Sequence, residues 1–424
     1  MKKSIFYTVI MALVVLTTAC SSDDDLMAET TGKQSDSMKS EKTVLVYMAG
    51  RNDLTQDVNT DLDEIKDGSR RIGDDCNLLV FVRRFEKKET PWLARIKNGE
   101  VTDSVSLNDM GVKSSDGQMR GSDPIVMEGV MRYAFRHYQS LTGYYGLVLW
   151  GHGSGWLMKD EVKKSTRAYG VDWGNDDNSD NGLWLNIPSL AEILKNMPHM
   201  KFIMADCCNF MCLENLYELR NTCDYIIGSP AEIPGQGAPY DQIVPDMFAD
   251  GTFYTSIIDK YHNSVYGLLP LTVVKTSEME NVAQATRQAL QAVKSNSGNT
   301  YADMTGIIHY YHTDKKIFDA NDKIIFRPEY NIFYDAGDFF LANAPKDVYQ
   351  QWKQALDKAI VVKRNATFWN TDKNWRYKYS DFTVTDEKMH GVSMFVPQDP
   401  VGGNYAKYNE DIKKMSWCKV VQLF

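Results

Sequence analysis

Short apolar runs, each closed by a turn signal or a reactive side chain, alternate along this chain with stretches whose apolar residues recur at helical spacing. Thr43 to Gly50 (TVLVYMAG) is a β-branched run that stops at Arg51-Asn52-Asp53, a turn and helix-cap signal. From Asp53 to Arg70, Leu54, Val58, Leu62 and Ile65 form one stripe with acids between them, and Asn77 to Phe85 (NLLVFVRRF) is the next apolar run. A β-α-β start of this kind predicts a parallel sheet with right-handed crossovers. Trp92 to Gly121 is short-patterned, polar and turn-rich, as in a hairpin or an irregular excursion. A helix is predicted over Ile125 to Tyr138, feeding a strand that ends at His152. Gly153 to Gly182 follows without periodicity, and loops that long are functional or flexible. A short helix over Ile187 to Met197 leads into a strand from Lys201, and another strand spans Cys223 to Pro230 before a Pro/Gly-rich loop to Tyr240. Later elements are a strand over Leu268 to Val274, helices over Glu278 to Val293, Tyr334 to Ala342 and Val348 to Val362, and a strand over Gly391 to Val396. The class is α/β, doubly wound, with a core over residues 43–280 and a C-terminal subdomain over 281–424.

Two of the apolar runs end in chemistry. Gly146 to Gly153 (GLVLWGHG) carries His152 at its tip, and Lys201 to Cys208 (KFIMADCC) carries a thiol. Ligands of open α/β sheets sit beyond the strand C-termini, so neighbouring tips would bring an imidazole and a thiol to one substrate. A thiolate at neutral pH needs a histidine or a helix N-terminus beside it. Helical periodicity through Leu213, Leu216 and Tyr217 places a helix over Asn209 to Leu219, with the Cys208 sulfur near its positive end. His152 would act as base and then as acid. Gly153, lacking a side chain, would let its N–H approach a developing oxyanion, with the N–H of Cys208 as partner. A metal site built from Cys207, Cys208, Cys212 and Cys223 is disfavoured, because adjacent cysteines on a strand point to opposite faces. The remaining histidines, His137, His199, His262, His309, His312 and His390, lie in contexts without evident partners.

Composition adds the compartment. Lys2-Lys3, the apolar stretch Ile5 to Leu16 and the small-residue site before Cys20 form a secretory signal over residues 1–19. The apolar stretch is short for a permanent span, which takes about 20 residues. Leu16 to Cys20 resembles a bacterial lipobox with Cys20 as the lipidated residue, although the leucine lies four places before the cysteine instead of three. Ser21-Ser22-Asp23-Asp24-Asp25 is similar to an export tag of surface lipoproteins, which implies an outer-membrane anchor, and residues 20–42 are a polar tether. Ordinary secretion is the plainer alternative. The formal net charge of -9 argues against a nucleic-acid partner and suits basic ones.

The residues around both tips resemble the clostripain-like cysteine peptidases of the caspase, gingipain and legumain clan. Leu147 to Trp156 (LVLWGHGSGW) is similar to that family's histidine segment, and Asp206-Cys207-Cys208 with Glu214 and Tyr217-Glu218-Leu219 matches its nucleophile segment. Val46 to Gly50, Asp109-Met110-Gly111, Tyr334-Asp335 to Phe339 and Gly391 to Pro397 resemble further segments in order. Cys207 departs from the pattern, standing where the family has alanine. Cys208 aligns with the nucleophile, and the vicinal thiol leaves open which sulfur attacks. The resemblance implies a caspase-like three-layer α/β/α sandwich with a mostly parallel sheet, and a hydrolase acting on peptides with no required cofactor. It also implies that Asp206 forms the base of the S1 pocket, where a carboxylate pairs with Arg first and Lys second. Glu232 is a second acidic candidate, its alternative being a solvated loop acid. Family members are activated by cutting themselves in the loop after the histidine, which implies Arg167 as the self-cleavage site, with Lys163 and Lys164 behind it. Some members depend on calcium. Asp176 to Gly182 resembles the start of an EF-hand loop, but with its glycine one place late and Ile187 at the twelfth position. The rival reading is a catalytically silent surface-binding lipoprotein on the same fold.

Overall fold

Side chains alternate across buried strands, so the apolar residues of each run divide between two faces. In the computed structural model, Val44, Val46 and Met48 pack into one core and Leu45 and Tyr47 into another, one on each face of the sheet. The structure describes residues 38–86, 89–158, 169–175, 182–297, 304–310, 317–318, 324–325, 332–366, 369, 382–397 and 404–424.

In chain order the strands are β1 (Ser40–Gly50), β2 (Cys76–Arg84), β3 (Trp92–Lys97), β4 (Glu100–Ser106), β5 (Ser140–Trp150), β6 (Tyr169–Asp172), β7 (Leu183–Leu185), β8 (Met200–Asp206), β9 (Cys223–Gly228), β10 (Leu271–Lys275), β11 (Ile317–Phe318), β12 (Ile324–Ile325), β13 (Tyr334–Asp335), β14 (Ile360–Arg364) and β15 (Ser393–Met394). Among the described residues nine of them form one sheet, ordered β14-β10-β9-β8-β5-β1-β2-β3-β4. The centre, β9-β8-β5-β1-β2, is parallel, and β3, β4, β10 and β14 extend its edges antiparallel. Helices α1 (Thr55–Ser69), α2 (Pro124–His137), α3 (Ile187–Lys195), α4 (Leu213–Glu218), α5 (Tyr240–Ile243), α6 (Phe253–Ser264), α7 (Met279–Ser297), α8 (Ala336–Asn343) and α9 (Lys346–Ala359) cover the faces. Buried residues of α1, α5 and α6 share one core, and those of α2, α3, α4, α7, α8 and α9 share the other. This is the expected α/β/α sandwich with a parallel centre.

One local expectation is narrowed and one changes. Of the two readings of Trp92 to Gly121, the hairpin holds for β3-β4, which continues the sheet beyond β2 as far as Ser106. The helical stripe expected over Val348 to Val362 ends at Ala359, and Ile360–Arg364 turns into edge strand β14 against β10. The β-branched run Ile360-Val361-Val362 favours a pleated surface over a helix. Residues on both sides of position 280 therefore contribute to one sheet.

The late segments are fastened by one carboxylate. Asp335, fully buried, caps α8 by accepting from the amides of Gly337 (2.9 Å) and Asp338 (3.0 Å). Its other oxygen accepts from the Tyr310 hydroxyl (2.6 Å) and the amides of His390 (2.8 Å) and Gly391 (3.1 Å). Burial pushes this carboxyl upward, but the His390 ring and the Tyr310 hydroxyl outweigh it and hold Asp335 below its ordinary range. Its contribution is therefore present above the ordinary carboxylate range and is lost as pH falls through the depressed value. Asp335→Ala leaves five buried donors unpaired and is expected to cost about 3–5 kcal/mol, read from denaturant unfolding at pH 7.

Candidate active site

Register sets the site. Met48 pairs with Trp150 and Trp150 with Asp206, so the C-terminal ends of β1, β5 and β8 lie level at one sheet edge. The residues that follow are Arg51 to Asp53, Gly151 to Gly153 and Cys207-Cys208. A Cβ on Gly153 would stand 2.8 Å from the Cys208 carbonyl and 3.0 Å from the Cys207 Cβ, so the histidine segment packs directly on the thiol segment and only glycine fits there.

Strand alternation sorts the two thiols. Cys207 points into the core with Ile203 and Ala205, is 2% exposed, and burial pushes its thiol far above the ordinary value. Cys208 points to the opposite face, is half-buried, and its Sγ lies 3.2 Å from the Ile233 amide, which donates to it. A thiol that receives an N–H is the better thiolate of the two. The donor differs from the one expected. Helix α4 starts only at Leu213, and Asn209 adopts φ 56°, which breaks any continuous helix from Cys208. Residues 209–212 instead tie down the loop after β9: the Asn209 amide donates to the Ala231 carbonyl (2.9 Å) and the Met211 amide to the Ser229 carbonyl (3.1 Å).

His152 has a partner the sequence did not announce. Its Nε2 lies 2.8 Å from Asp53 Oδ1, just past the end of β1. The cap-like signal Arg51-Asn52-Asp53 hid this: the turn is made by Asn52, whose Oδ1 accepts from the Leu54 amide (2.9 Å), leaving the Asp53 carboxylate to the histidine. Adjacency of β1 to β5 was the missing information. The His152 carbonyl accepts from the Gly170 amide (2.7 Å), so β6 docks beside the histidine tip. Other histidines also have partners, contrary to expectation: His199 meets Asp224 (2.9 Å), and His390 meets Asp335 (3.3 Å) and the Tyr349 hydroxyl (3.1 Å).

Beneath the Cys208 side lies an acidic floor. Asp206 is buried, and its Oδ2 accepts from the Tyr240 hydroxyl (2.9 Å) and the Ala238 amide (3.1 Å), its Oδ1 from the Tyr261 hydroxyl (2.6 Å). Burial outweighs these donors and raises its pKa. Asp61 on α1, also unmarked in the sequence, is 1% exposed and accepts the Trp150 indole N–H at 2.6 Å. Burial first, then Asp206, pushes it up to about 9. Glu232 is half-buried on the loop after β9. Cys20, Lys163, Lys164, Arg167 and Asp176 to Asn181 lie outside the described residues. Among the described residues no group of His, Cys, Asp or Glu is arranged to hold a metal ion.

Thiol, imidazole and glycine amide at level strand tips of a parallel sheet are the parts of an α/β cysteine protease. The clostripain family profile matches residues 46–423, and the chain belongs to that family. A secreted C11 cysteine protease from Bacteroides thetaiotaomicron, solved with an irreversible peptide inhibitor, is 28% identical with TM-score 0.68, over 90% of this chain and 98% of that one. An inactive zymogen C11 protease from Parabacteroides distasonis is 25% identical with TM-score 0.69, over 90% and 98%. A third, iotapain from Bacteroides thetaiotaomicron, is 19% identical with TM-score 0.63 and shares the fold. No curated protein matches the chain.

The raised Asp61 has a measurable consequence. A carboxyl that binds its proton more tightly when folded stabilises the fold below its unfolded pKa, and that contribution is lost as pH rises through the folded value. Wild type is therefore expected to lose stability as pH rises from about 4 to about 9. Asp61→Asn keeps an acceptor for Trp150 and should flatten that slope, seen as a higher melting temperature than wild type at pH 8 but not at pH 4.

Proposed function

We propose that the protein is an exported endopeptidase cleaving after Arg or Lys, with Cys208 as nucleophile and His152 as its base. The observation that carries this reading is the close packing of His152-Gly153 on Cys207-Cys208, which leaves Cys208 alone of the pair on the accessible face. With its Nε2–H directed to Asp53, His152 has Nδ1 as its basic nitrogen; Nδ1 takes the Cys208 proton. The thiolate attacks the scissile carbonyl carbon, and the oxyanion is received by the amides of Gly153 and Cys208. Collapse expels the amine, protonated by His152. Water, deprotonated by the same ring, then hydrolyses the thioester and restores the thiol. Asp53 is a positioning residue that fixes the imidazole. Thiol, imidazole and backbone amides supply every step without a cofactor.

Asp206, two residues before Cys208 on the same strand, is assigned to the floor of S1, and Glu232 to its wall. The protein is made as a zymogen and cuts itself in the loop after His152, at Arg167 or at Lys163 and Lys164. Anchoring of both flanks supports this: Met158 is buried, and β6 is held by the buried Arg83–Asp172 pair (3.1 Å), so a cut between them leaves both pieces attached. The relative from Parabacteroides distasonis is itself an inactive zymogen. Cys20 is assigned as the lipidated residue that tethers the enzyme to the outer membrane, with the substrates being proteins or peptides at the cell surface.

Fluorogenic peptides with Arg or Lys at P1 are expected to be hydrolysed by wild type and by Cys207→Ala. Cys208→Ala should lose roughly 1,000-fold or more in kcat and should also leave the 159–168 segment uncut by mass spectrometry. A wild type inert on these peptides even after that segment is trimmed refutes the reading.

A further inference from the structure

The floor next to Cys208 holds two carboxylates. A Cβ built on Gly237, whose φ is +60°, would lie 2.9 Å from Asp206 Oδ2 and 3.3 Å from Asp61 Oδ2. Both oxygens thus converge on one spot, within about 6 Å of each other, close enough for each charge to disfavour the other. With no side chain at Gly237, which is itself buried, no Cβ occupies that spot. Both acids are at least nine-tenths buried, and every partner of either is neutral: the Trp150 indole for Asp61, and two tyrosine hydroxyls and an amide for Asp206. Among the described residues, no lysine or arginine pairs with either carboxylate. A buried carboxylate pair held only by neutral donors carries a charge deficit that a cation from outside would fill.

We propose that Asp61 is the second carboxylate of the S1 pocket, so that the basic P1 group is held between Asp61 from α1 and Asp206 from β8. This rests on the Arg/Lys specificity proposed above and adds to it. A planar guanidinium offers N–H donors on two edges and can engage both acids, whereas an ammonium is a point charge, so the pair favours Arg. Without a cation Asp61, pushed up to about 9 by burial and by Asp206, holds its proton, and the incoming cation displaces that proton to solvent. The other titratable groups facing the pair are Asp57 and Glu64 on α1, Tyr240 on α5, Tyr261 on α6 and Cys208 beyond β8. Asp57 and Glu64 add negative charge, and burial keeps both tyrosines protonated. None of these groups supplies the missing cation.

The test compares kcat/KM on otherwise identical peptides with Arg, Lys or norleucine at P1, for wild type, Asp61→Asn and Asp206→Asn. Asp61→Asn is expected to lower the Arg-to-norleucine ratio roughly 10- to 100-fold and to narrow the Arg-to-Lys difference. If wild type prefers basic P1 residues and Asp206→Asn loses that preference while Asp61→Asn keeps it, the present inference fails alone. If wild type has no basic preference, the proposed specificity fails with it. Should Asp61→Asn not fold, calorimetry on Cys208→Ala decides, using product peptides ending in Arg or norleucine in buffers of different ionisation enthalpy. The Arg peptide should release about one proton more than the norleucine peptide near pH 7; equal release overturns the placing of Asp61 beside the P1 cation.

Discussion

Parallel pairing of β1, β5 and β8 in level register is the constraint from which the rest of the site follows. Strands alternate strictly, so register decides not only which residues face each other but which face of the sheet each side chain enters. With Trp150 opposite Asp206, Cys208 and Asp206 share the face covered by α1, α5 and α6, and Cys207 enters the other core. A slip of β8 by one residue would bury Cys208, present Cys207 in its place and drive the Asp206 carboxylate into an apolar core. The penalty for such a slip is large because both faces are fully packed, which is how ordinary core packing fixes a chemical site.

The same sheet edge reconciles burial with charge. Cys208 and His152 sit at the rim, half-buried, while the acids of the floor sit a layer deeper and are raised by desolvation. On the proposed reading, deep acids beneath the partly exposed Cys208 would give selection and reaction separate places. Their burial also carries a cost in stability that grows with pH, offset by anchors elsewhere such as Asp335, whose satisfied carboxylate is held low instead of high.

Much of this was legible from the chain. The runs ending at Gly50, His152 and Cys208 mark three adjacent strands of the sheet, two of them with the candidate His152 and Cys208 at their tips, and helical stripes mark most of the covering layers. The edge strand β14 is hidden in the sequence because Val348 to Val362 carries both a helical stripe and a β-branched tail, and only the neighbouring β10 edge decides between them. Asp53 and Asp61 escaped notice for a different reason. Each lies on or beside α1, where an acid between apolar positions looks like a solvated face, and only the tertiary fold brings Asp61 to Trp150 and Asp53 to His152. The helix end expected at Cys208 was likewise replaced by a loop amide, Ile233, which no local pattern links to it. Local periodicity announces elements; long-range partners of polar groups require the sheet order.

If register, and not thiol count, selects the nucleophile, only one of the two sulfurs reacts with a substrate mimic. Labelling of the wild-type enzyme with an arginine-P1 peptide acyloxymethyl ketone, followed by peptide mass spectrometry, reads this. A single adduct on Cys208 with Cys207 unmodified is expected. An adduct on Cys207, or equal labelling of both sulfurs, would contradict it.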